Sequence, residues 1–225
     1  MNAMFLETLD ALKHLLWPTR CAACDVLLPD AHERLCGECR GSVLGAPTVE
    51  APDGIDAAFA LFRYEGAVQT LIARWKYHED YGAQDALLAF LPSAVASICA
   101  SVPENAVIIP VPPHPRRLRE RGFDPVWTFA SQLHRAFEGA GLHTEFCDDV
   151  LVRTRHTPHQ AGLSHDERMH NLDGAFTVAD GFAAHDVILV DDVTTTGATA
   201  AACAAVLRKS GVEWIGFLAL AHAVA

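Results

Sequence analysis

Short apolar runs alternate with helical patterns of apolar residues along most of the chain. Four runs have the length and apolar content of buried strands: residues 57–64, 107–111, 187–190 and 214–220. Helical patterns follow three of these runs, at residues 68–75, 124–139 and 198–209. Asp124 and Pro125 mark a helix start, and Gly211 has the position of a helix C-cap. Strands that alternate with helices predict an α/β domain with a mainly parallel sheet flanked by helices.

The N-terminal residues and the longest uncharged stretch bear on where the protein is located. Residues 1–18 place apolar side chains at helical spacing but include Glu7 and Asp10, which is the wrong pattern for a secretion signal. The uncharged stretch 86–103 contains Pro92 and a serine at every fourth position, which favours a packed helix over a membrane span. We therefore expect a cytoplasmic protein without membrane insertion.

Composition and charge limit the domain number and the class of partner. A chain of 225 residues that is 51% hydrophobic is long enough for one ordinary domain and a small appendage. Residues 47–54 have the Pro and Gly content of a linker, so we expect a helix and cysteine module in residues 1–48 and an α/β domain in residues 49–225. The net charge of −11 argues against indiscriminate coating of nucleic acid. Four arginines nevertheless fall within residues 116–121, so a local anion site remains compatible with the acidic chain.

Four of the seven cysteines form two close pairs. Cys21 and Cys24 are followed, after eleven residues, by Cys36 and Cys39. Tetrahedral Zn²⁺ takes four ligands, which two such pairs of thiolates supply. Four protein ligands leave no open position, so we expect a structural zinc ion. Because no export signal is visible, the compartment is expected to be reducing, which favours metal over disulfides. The alternatives are a redox Cys-x-x-Cys pair, incidental thiols, or His32 in place of one cysteine.

A turn rich in Thr connects the third strand to its helix. It reads Asp191, Asp192, Val193, Thr194, Thr195, Thr196, Gly197, Ala198 and Thr199. Amides at a helix start and threonine hydroxyls bind anions, and Gly197 is expected to let a phosphate come close. Adjacent carboxylates at this edge of a parallel sheet accept hydrogen bonds from two neighbouring ribose hydroxyls. The pattern favours a ribose 5-phosphate site, and its alternative is a helix-capping turn with two incidental acids.

Two other phosphate motifs do not match this turn. It lacks the Lys of the Gly-x4-Gly-Lys-Ser/Thr loop and the glycines of the dinucleotide turn, which disfavours nucleotide triphosphatases and dehydrogenases. It resembles instead the phosphoribosyl-pyrophosphate (PRPP) signature of type I phosphoribosyltransferases. That resemblance implies a phosphoribosyltransferase-like sheet in which Asp191 and Asp192 hold the ribose and residues 193–199 hold its 5-phosphate. It also implies Mg²⁺ between ribose and pyrophosphate.

A PRPP site needs positive charge for the pyrophosphate group. The segment 109–124 follows a buried strand and lies at the same sheet edge. Its candidate residues are Arg116, Arg117 and Arg121. The segment 151–164 has the polar, Pro- and Gly-marked character of a lid. Its candidate residues are Arg153, Arg155 and Gln160. The alternative for any single arginine is a solvated surface with ordinary ion pairs.

The order of these motifs over nearly the whole chain resembles the competence protein F (ComF) family. The resemblance rests on the four cysteines, the segment 76–81, both arginine segments, the ribose turn and a final group: Arg168, Asn171, Gly174, Ala175 and Phe176. Where the family tends to read Gly-Phe-Asn-Gln, this chain has Asp124 and Pro125 after Gly122 and Phe123, so a role of that Asn-Gln pair does not carry over. The family implies a phosphoribosyltransferase-like fold with an N-terminal zinc finger and, in some bacteria, a link to uptake of transforming DNA.

Two functions follow from the resemblance. In the first, the chain binds PRPP or a related ribose phosphate and transfers the phosphoribosyl group with release of pyrophosphate. In the second, it is a non-catalytic DNA-uptake accessory protein that binds single-stranded DNA or competence proteins. The absence of a recognisable acceptor-binding segment favours the second. The acidic net charge and the small number of lysines, three in all, count against strong DNA binding.

Overall fold

The structure is a computed structural model and describes residues 18–43, 48–154, 172 and 174–223. These residues form two compact units. The first draws on Met1–Leu44 and Glu65–Ala89, and the second on Gly45–Tyr64 and Phe90–Ala225. The helix expected in residues 1–18 lies outside the described residues except for Pro18, and a domain boundary between residues 48 and 49 stays a prediction.

The first unit combines the cysteine segment with three helices. These are α1 (Gly37–Val43), α2 (Gly66–His78) and α3 (Tyr81–Leu88). The face of α2 that carries Val68, Leu71, Ile72 and Trp75 is buried, as the sequence pattern predicts. The α3 helix begins after Asp80, whose side chain accepts a hydrogen bond from the Ala83 N–H at 3.1 Å.

A five-stranded parallel sheet forms the centre of the second unit, in the order β1-β7-β6-β2-β3. Its strands are β1 (Ala57–Arg63), β2 (Ala106–Pro110), β3 (Thr144–Phe146), β6 (Asp186–Thr194) and β7 (Trp214–His222). A separate antiparallel pair consists of β4 (Leu151–Arg153) and β5 (Phe176–Val178). The whole of β2 is buried, as expected of a strand covered on both faces. The prediction of an α/β fold with a parallel sheet is confirmed.

The second unit also contains α4 (Leu91–Ile98), a 3-10 turn (Cys99–Ser101), α5 (Pro115–Arg121), α6 (Pro125–Gly139) and α7 (Ala198–Lys209). Of these, α6 and α7 pack on strands of the sheet. One face carries Ile109 and Leu189, which share a core with Cys203 of α7 and with Phe176 of β5. The α6 helix packs on β2, β3 and β6 and also contacts α4. Parallel crossovers that run in opposite directions place their helices on opposite faces.

The uncharged stretch does not form the single packed helix that the sequence predicts. The α3 helix ends at Leu88 and α4 begins at Leu91, because Pro92 cannot continue a helix and restricts the residue before it. By length and composition alone, Tyr81–Ser101 is long and apolar enough to cross a membrane as one helix. One such segment is weak evidence for a membrane span.

Candidate functional site

The chain leaves two neighbouring strands of the sheet in opposite directions. From the carboxyl end of β2 it passes through α5 and α6 to β3, on one side of β2. From the carboxyl end of β6 it passes through α7 to β7, on the other side. Parallel α/β proteins bind ligands in the crevice that opens at such a switch point. We call the space at the carboxyl ends of these two strands the β2–β6 crevice.

The two predicted acids lie inside β6 rather than after it. The prediction that this strand ends at Asp191 and Asp192 is wrong, because β7 pairs with β6 as far as Thr194. On the side of β2 the pairing ends earlier, where the Val190 carbonyl oxygen accepts a hydrogen bond from the Val111 N–H at 2.8 Å. Beyond that point, among the described residues, the edge of β6 that faces the crevice pairs with no strand.

The two carboxylates have different neighbours because successive side chains of a strand point to opposite faces. Asp191 lies within electrostatic range of Arg153 in β4 and Cys203 in α7. Asp192 lies within range of Asp124, the N-cap of α6. One oxygen of each carboxylate accepts a hydrogen bond from the N–H of the next residue, at 2.8 and 2.5 Å. The pair therefore reaches both faces of the strand end rather than presenting two carboxylates side by side.

The Thr-rich turn places the amino end of α7 at the same end of the sheet. The helix begins at Ala198 as predicted, with Gly197 as its N-cap at φ 71°. No described side chain caps the first turn of this 12-residue helix. Thr194 and Ala198 are buried, whereas Thr195 is exposed. A helix start whose amides have no side-chain cap is suited to binding an anion.

Gly197 is required by a protein contact that sequence reasoning missed. A Cβ atom at this residue would lie 2.2 Å from Pro52 Cγ and 2.9 Å from Pro52 Cβ. The space expected to admit a phosphate beside the glycine is therefore filled by the proline ring. Any anion must approach the amides of the turn from another side.

The segment after β2 is helical where a loop was expected. His114 caps α5, since its Nδ1 atom accepts a hydrogen bond from the Arg116 N–H at 3.1 Å. Arg116 forms an exposed ion pair with Glu120 four residues later, with Nε and Oε1 2.6 Å apart. Arg116 therefore forms an ordinary surface ion pair, the alternative that the sequence left open for each arginine. Pro115 at the first helical position was the sequence signal for this helix.

Arg153 brings positive charge to the crevice from β4. Its guanidinium lies 5.3 Å from the centre of the Phe176 ring. Burial and the charge of Arg117 lower the pKa of Arg153, and the negative charge of Asp191 raises it. Arg117 and Asp191 therefore both act on the same partly buried cation. Two further predicted members of the site lie outside the described residues: Arg155 and Gln160.

Asp124 is a member of this site that sequence reasoning treated only as a helix cap. Its Oδ1 atom accepts a hydrogen bond from the Val126 N–H at 2.9 Å. Burial raises the pKa of Asp124, the N–H groups of Trp127 and Val126 lower it, and Asp192 raises it again. Arg121 lowers it through its positive charge. The sequence signal for this role was that the chain has Asp124 where the family tends to have Asn.

The four paired cysteines of the first unit meet at one point. The Sγ atoms of Cys21, Cys24, Cys36 and Cys39 all lie within 4.8 Å of one another. Those of Cys24 and Cys36 are 3.8 Å apart, and the Cys36 N–H donates to Cys21 Sγ at 3.4 Å. These cysteines are positioned to bind one metal ion, as predicted. The group found in the described part of the chain does not include His32.

Arg74 of α2 holds the first cysteine pair in place. Its guanidinium donates to the Ala22 carbonyl oxygen at 2.9 Å and to both carboxylate oxygens of Asp25, at 3.1 and 2.5 Å. This hydrogen-bonded pairing lowers the pKa of Asp25. Burial raises the pKa of Cys21, but backbone N–H groups, led by that of Cys36, lower it to about 6. A thiolate is thus accessible at neutral pH for a metal ion.

Comparison with known proteins gives relatives that share a competence or DNA-utilization name. No family model matches the chain. The chain is 33% identical over 175 residues to competence protein F of Haemophilus influenzae, covering 75% of this chain and 73% of that protein. It is 28% identical over 198 residues to DNA utilization protein YhgH of Escherichia coli (strain K12), covering 86% and 79%. It is 22% identical over 198 residues to competence protein ComFC of Streptococcus pneumoniae, covering 86% and 83%.

Among solved structures, a hypoxanthine phosphoribosyltransferase from Staphylococcus aureus aligns with 59% of this chain and 61% of its own chain. The sequence identity is 10% and the TM-score is 0.37. A score this low supports no conclusion about fold or activity.

Proposed function

Because the chain belongs to the competence protein F family, we propose that it is a phosphoribosyltransferase-like protein that binds PRPP, or a related ribose phosphate, in the β2–β6 crevice. One observation carries the proposal. The switch point of the sheet brings together the paired acids of β6, the uncapped start of α7 and the arginine-rich segment that follows β2.

The 5-phosphate is assigned to the Thr-rich turn. The amides at the start of α7 carry partial positive charge, and the hydroxyls of Thr195, Thr196 and Thr199 add donors nearby. Pro52 closes the Gly197 side, so the phosphate would approach from the open edge of β6. This placement puts the ribose beside the strand end that carries the acids.

The ribose is assigned to the end of β6, where its hydroxyls would lie between Asp191 and Asp192, and the pyrophosphate is assigned to the cations across the crevice. Arg117 and Arg121 come from α5, and Arg153 comes from β4. Arg155 and Gln160 remain proposed members of this cationic side. Guanidinium groups bind phosphate oxygens through paired N–H donors, which suits a leaving group with several negative charges.

The same geometry suits phosphoribosyl transfer. The bond between C1′ and the pyrophosphate oxygen would break with its electron pair on the oxygen, and a nucleophile of the acceptor would form the new bond to C1′ and release its proton to water. Positive charge develops on the ribose ring in that step, and the carboxylates of Asp191 and Asp192 would stabilise it. Arg117 and Arg153 would stabilise the negative charge that builds on the leaving group.

Mg²⁺ fits the donors at this site. It prefers oxygen ligands and is commonly held by one or two carboxylates together with substrate phosphates. Asp191 and Asp192 are the residues that would hold it beside PRPP. When bound, the ion would offset part of the charge of the pyrophosphate.

For the metal site we propose structural zinc. Four sulfur ligands at the usual zinc–sulfur distance of about 2.3 Å, in a tetrahedron, lie about 3.8 Å from one another. The Sγ atoms of Cys24 and Cys36 are 3.8 Å apart, which matches this spacing. Because the four ligands are all protein thiols, the ion would stabilise the fold of the first unit rather than act on substrate.

A second candidate function is a non-catalytic accessory role in DNA uptake, in which the protein binds single-stranded DNA or a competence protein. The names of the relatives favour it, and no residue of the described chain marks an acceptor base. Either role is proposed for the cytoplasm, since a metal site of paired cysteines suits a reducing compartment.

Isothermal titration with PRPP and Mg²⁺ tests the proposed ligand. The wild type is expected to show saturable binding that Asp191→Asn/Asp192→Asn abolishes. The exposed neighbouring pair Asp148 and Asp149 gives a matched control with the same change of charge. Binding that survives the first double variant, or no binding by the wild type, would overturn the assignment.

Release of pyrophosphate with a panel of nucleobases then separates the two functions. Turnover that depends on Asp191 and Asp192 supports the transferase. PRPP binding without turnover, together with a salt-resistant shift of single-stranded DNA, supports the accessory role. No DNA shift at low salt removes the nucleic-acid form of that role.

A further inference from the structure

Two carbonyl oxygens of the Thr-rich turn accept hydrogen bonds from residues at the end of β7, and these bonds hold the turn to that strand. The Ala223 N–H donates to the Thr194 carbonyl oxygen at 2.8 Å. The Nε2 atom of His222 lies 3.3 Å from the Thr195 carbonyl oxygen. Because a carbonyl oxygen only accepts hydrogen bonds, the contact requires the proton of His222 on Nε2.

These bonds decide which way the amides of the turn point. The described residues contain no cis peptide bond, and in a trans peptide the C=O and the following N–H point in opposite directions. Carbonyls of Thr194 and Thr195 that point toward β7 therefore direct the N–H groups of Thr195 and Thr196 away from β7. In the sheet β7 and β2 flank β6 on opposite sides. The two amides thus point toward the side of the crevice.

The backbone of His222 is itself held in position. It pairs with Arg63 of β1 on one side and Thr194 of β6 on the other. Its carbonyl oxygen accepts a hydrogen bond from the Tyr64 N–H at 2.8 Å. Its Nδ1 atom is buried and has no hydrogen-bond partner within the described chain. The ring is therefore fixed on a paired strand and makes its polar contact through Nε2.

We propose that His222 is a positioning residue for the phosphate turn. It holds the Thr195 carbonyl so that the Thr196 amide faces an incoming phosphate, whereas the Ala223 N–H holds the Thr194 carbonyl and with it the Thr195 amide. That the turn binds a phosphate rests on the proposed function. That His222 holds the turn in position does not. A residue that only stabilised the sheet would leave the direction of these amides unchanged.

Two variants of His222 separate positioning from general stability. His222→Leu fills similar space without a donor, and His222→Gln keeps an N–H donor of comparable reach. We expect His222→Leu to shift the amide resonance of Thr196 more than that of Thr195, and to weaken ribose 5-phosphate binding by about three- to tenfold, the effect of one neutral hydrogen bond. His222→Gln is expected to recover most of both. His143→Leu is the control, because His143 is exposed and precedes β3, at the amino ends of the strands.

The outcomes distinguish this inference from the proposed function. If the wild type does not bind ribose 5-phosphate, the proposed ligand is wrong. The amide resonances of the ligand-free protein still show whether His222 orients the turn. If the wild type binds and His222→Leu binds equally well with unchanged resonances, the positioning role is overturned. Equal losses in His222→Leu and His222→Gln would also overturn it, because the donor would then not matter.

Discussion

Replacing Gly197 by alanine tests the packing of the phosphate turn most sharply. The new Cβ would meet Pro52 at 2.2 Å from Cγ and 2.9 Å from Cβ. The backbone at φ 71° and ψ 7° is left-handed, which costs a residue with a side chain about 1–2 kcal/mol. Overlap in a packed site adds about 1–3 kcal/mol. The free energy of unfolding should therefore fall by about 2–5 kcal/mol.

Gly122 provides a matched control. It has φ 75° and ψ −9°, and nothing lies within 4 Å of the Cβ that alanine would add. Gly122→Ala therefore measures backbone strain alone, about 1–2 kcal/mol. Urea unfolding followed by circular dichroism measures both variants. In a Pro52→Gly background, Gly197→Ala should recover about 1–3 kcal/mol of its cost. Equal costs at Gly197 and Gly122, or no recovery without Pro52, would refute the reasoning.

Three further changes have defined expected results. Burial raises the pKa of Asp124, so the wild type should lose stability as pH rises from about 4 through that raised pKa. Asp124→Asn, an equally good N-cap, should remove this loss. Urea midpoints measured from pH 4 to 7 compare the two proteins. Arg208→Met breaks bonds to Asp56 and three backbone carbonyls and should cost about 1.5–3 kcal/mol in urea unfolding. Arg116→Met removes an exposed ion pair and should leave the free energy of unfolding nearly unchanged. Arg74→Met should speed the transfer of bound zinc to a coloured chelator, because the first cysteine pair loses its anchor.

Each of these expectations has a result that contradicts it. Parallel pH curves for wild type and Asp124→Asn would show that folding does not raise the pKa of Asp124. Equal costs for Arg208→Met and Arg116→Met would show that the Arg208 bonds contribute no more than a surface pair. If Arg74→Met leaves the rate of zinc release unchanged, the metal alone is sufficient to hold the cysteine pair.

The helix boundaries that the sequence predicted well depend on local chemistry. Asp124 and Pro125 start α6 where a cap and a first-turn proline require it, and α7 spans the predicted residues 198–209. The sequence predicted that β6 ends at Asp191 and Asp192, but the strand continues to Thr194. This extension depends on pairing with β7. Such pairing is a tertiary interaction that leaves no local pattern in the sequence. The α5 helix was missed because a short helix in a Pro-rich segment has little periodicity.

The candidate site divides in the same way. The cysteine cluster was predictable because ligand spacing alone brings two Cys-x2-Cys pairs to one ion. Asp191, Asp192 and the turn were predictable as a motif, and their placement at the switch point required the strand order. Pro52 and His222 were missed because each acts on the turn from a distant part of the chain.

The position of a bound ligand tests the central claim most directly. Diffraction from crystals of the protein grown with PRPP and Mg²⁺ would locate the 5-phosphate and the ribose. We expect phosphate oxygens within about 2.7–3.2 Å of amide nitrogens between Thr195 and Thr199, with the ribose hydroxyls against Asp191 and Asp192. Ligand density at another surface, or a β2–β6 crevice without density under conditions where PRPP binds in solution, would contradict the account.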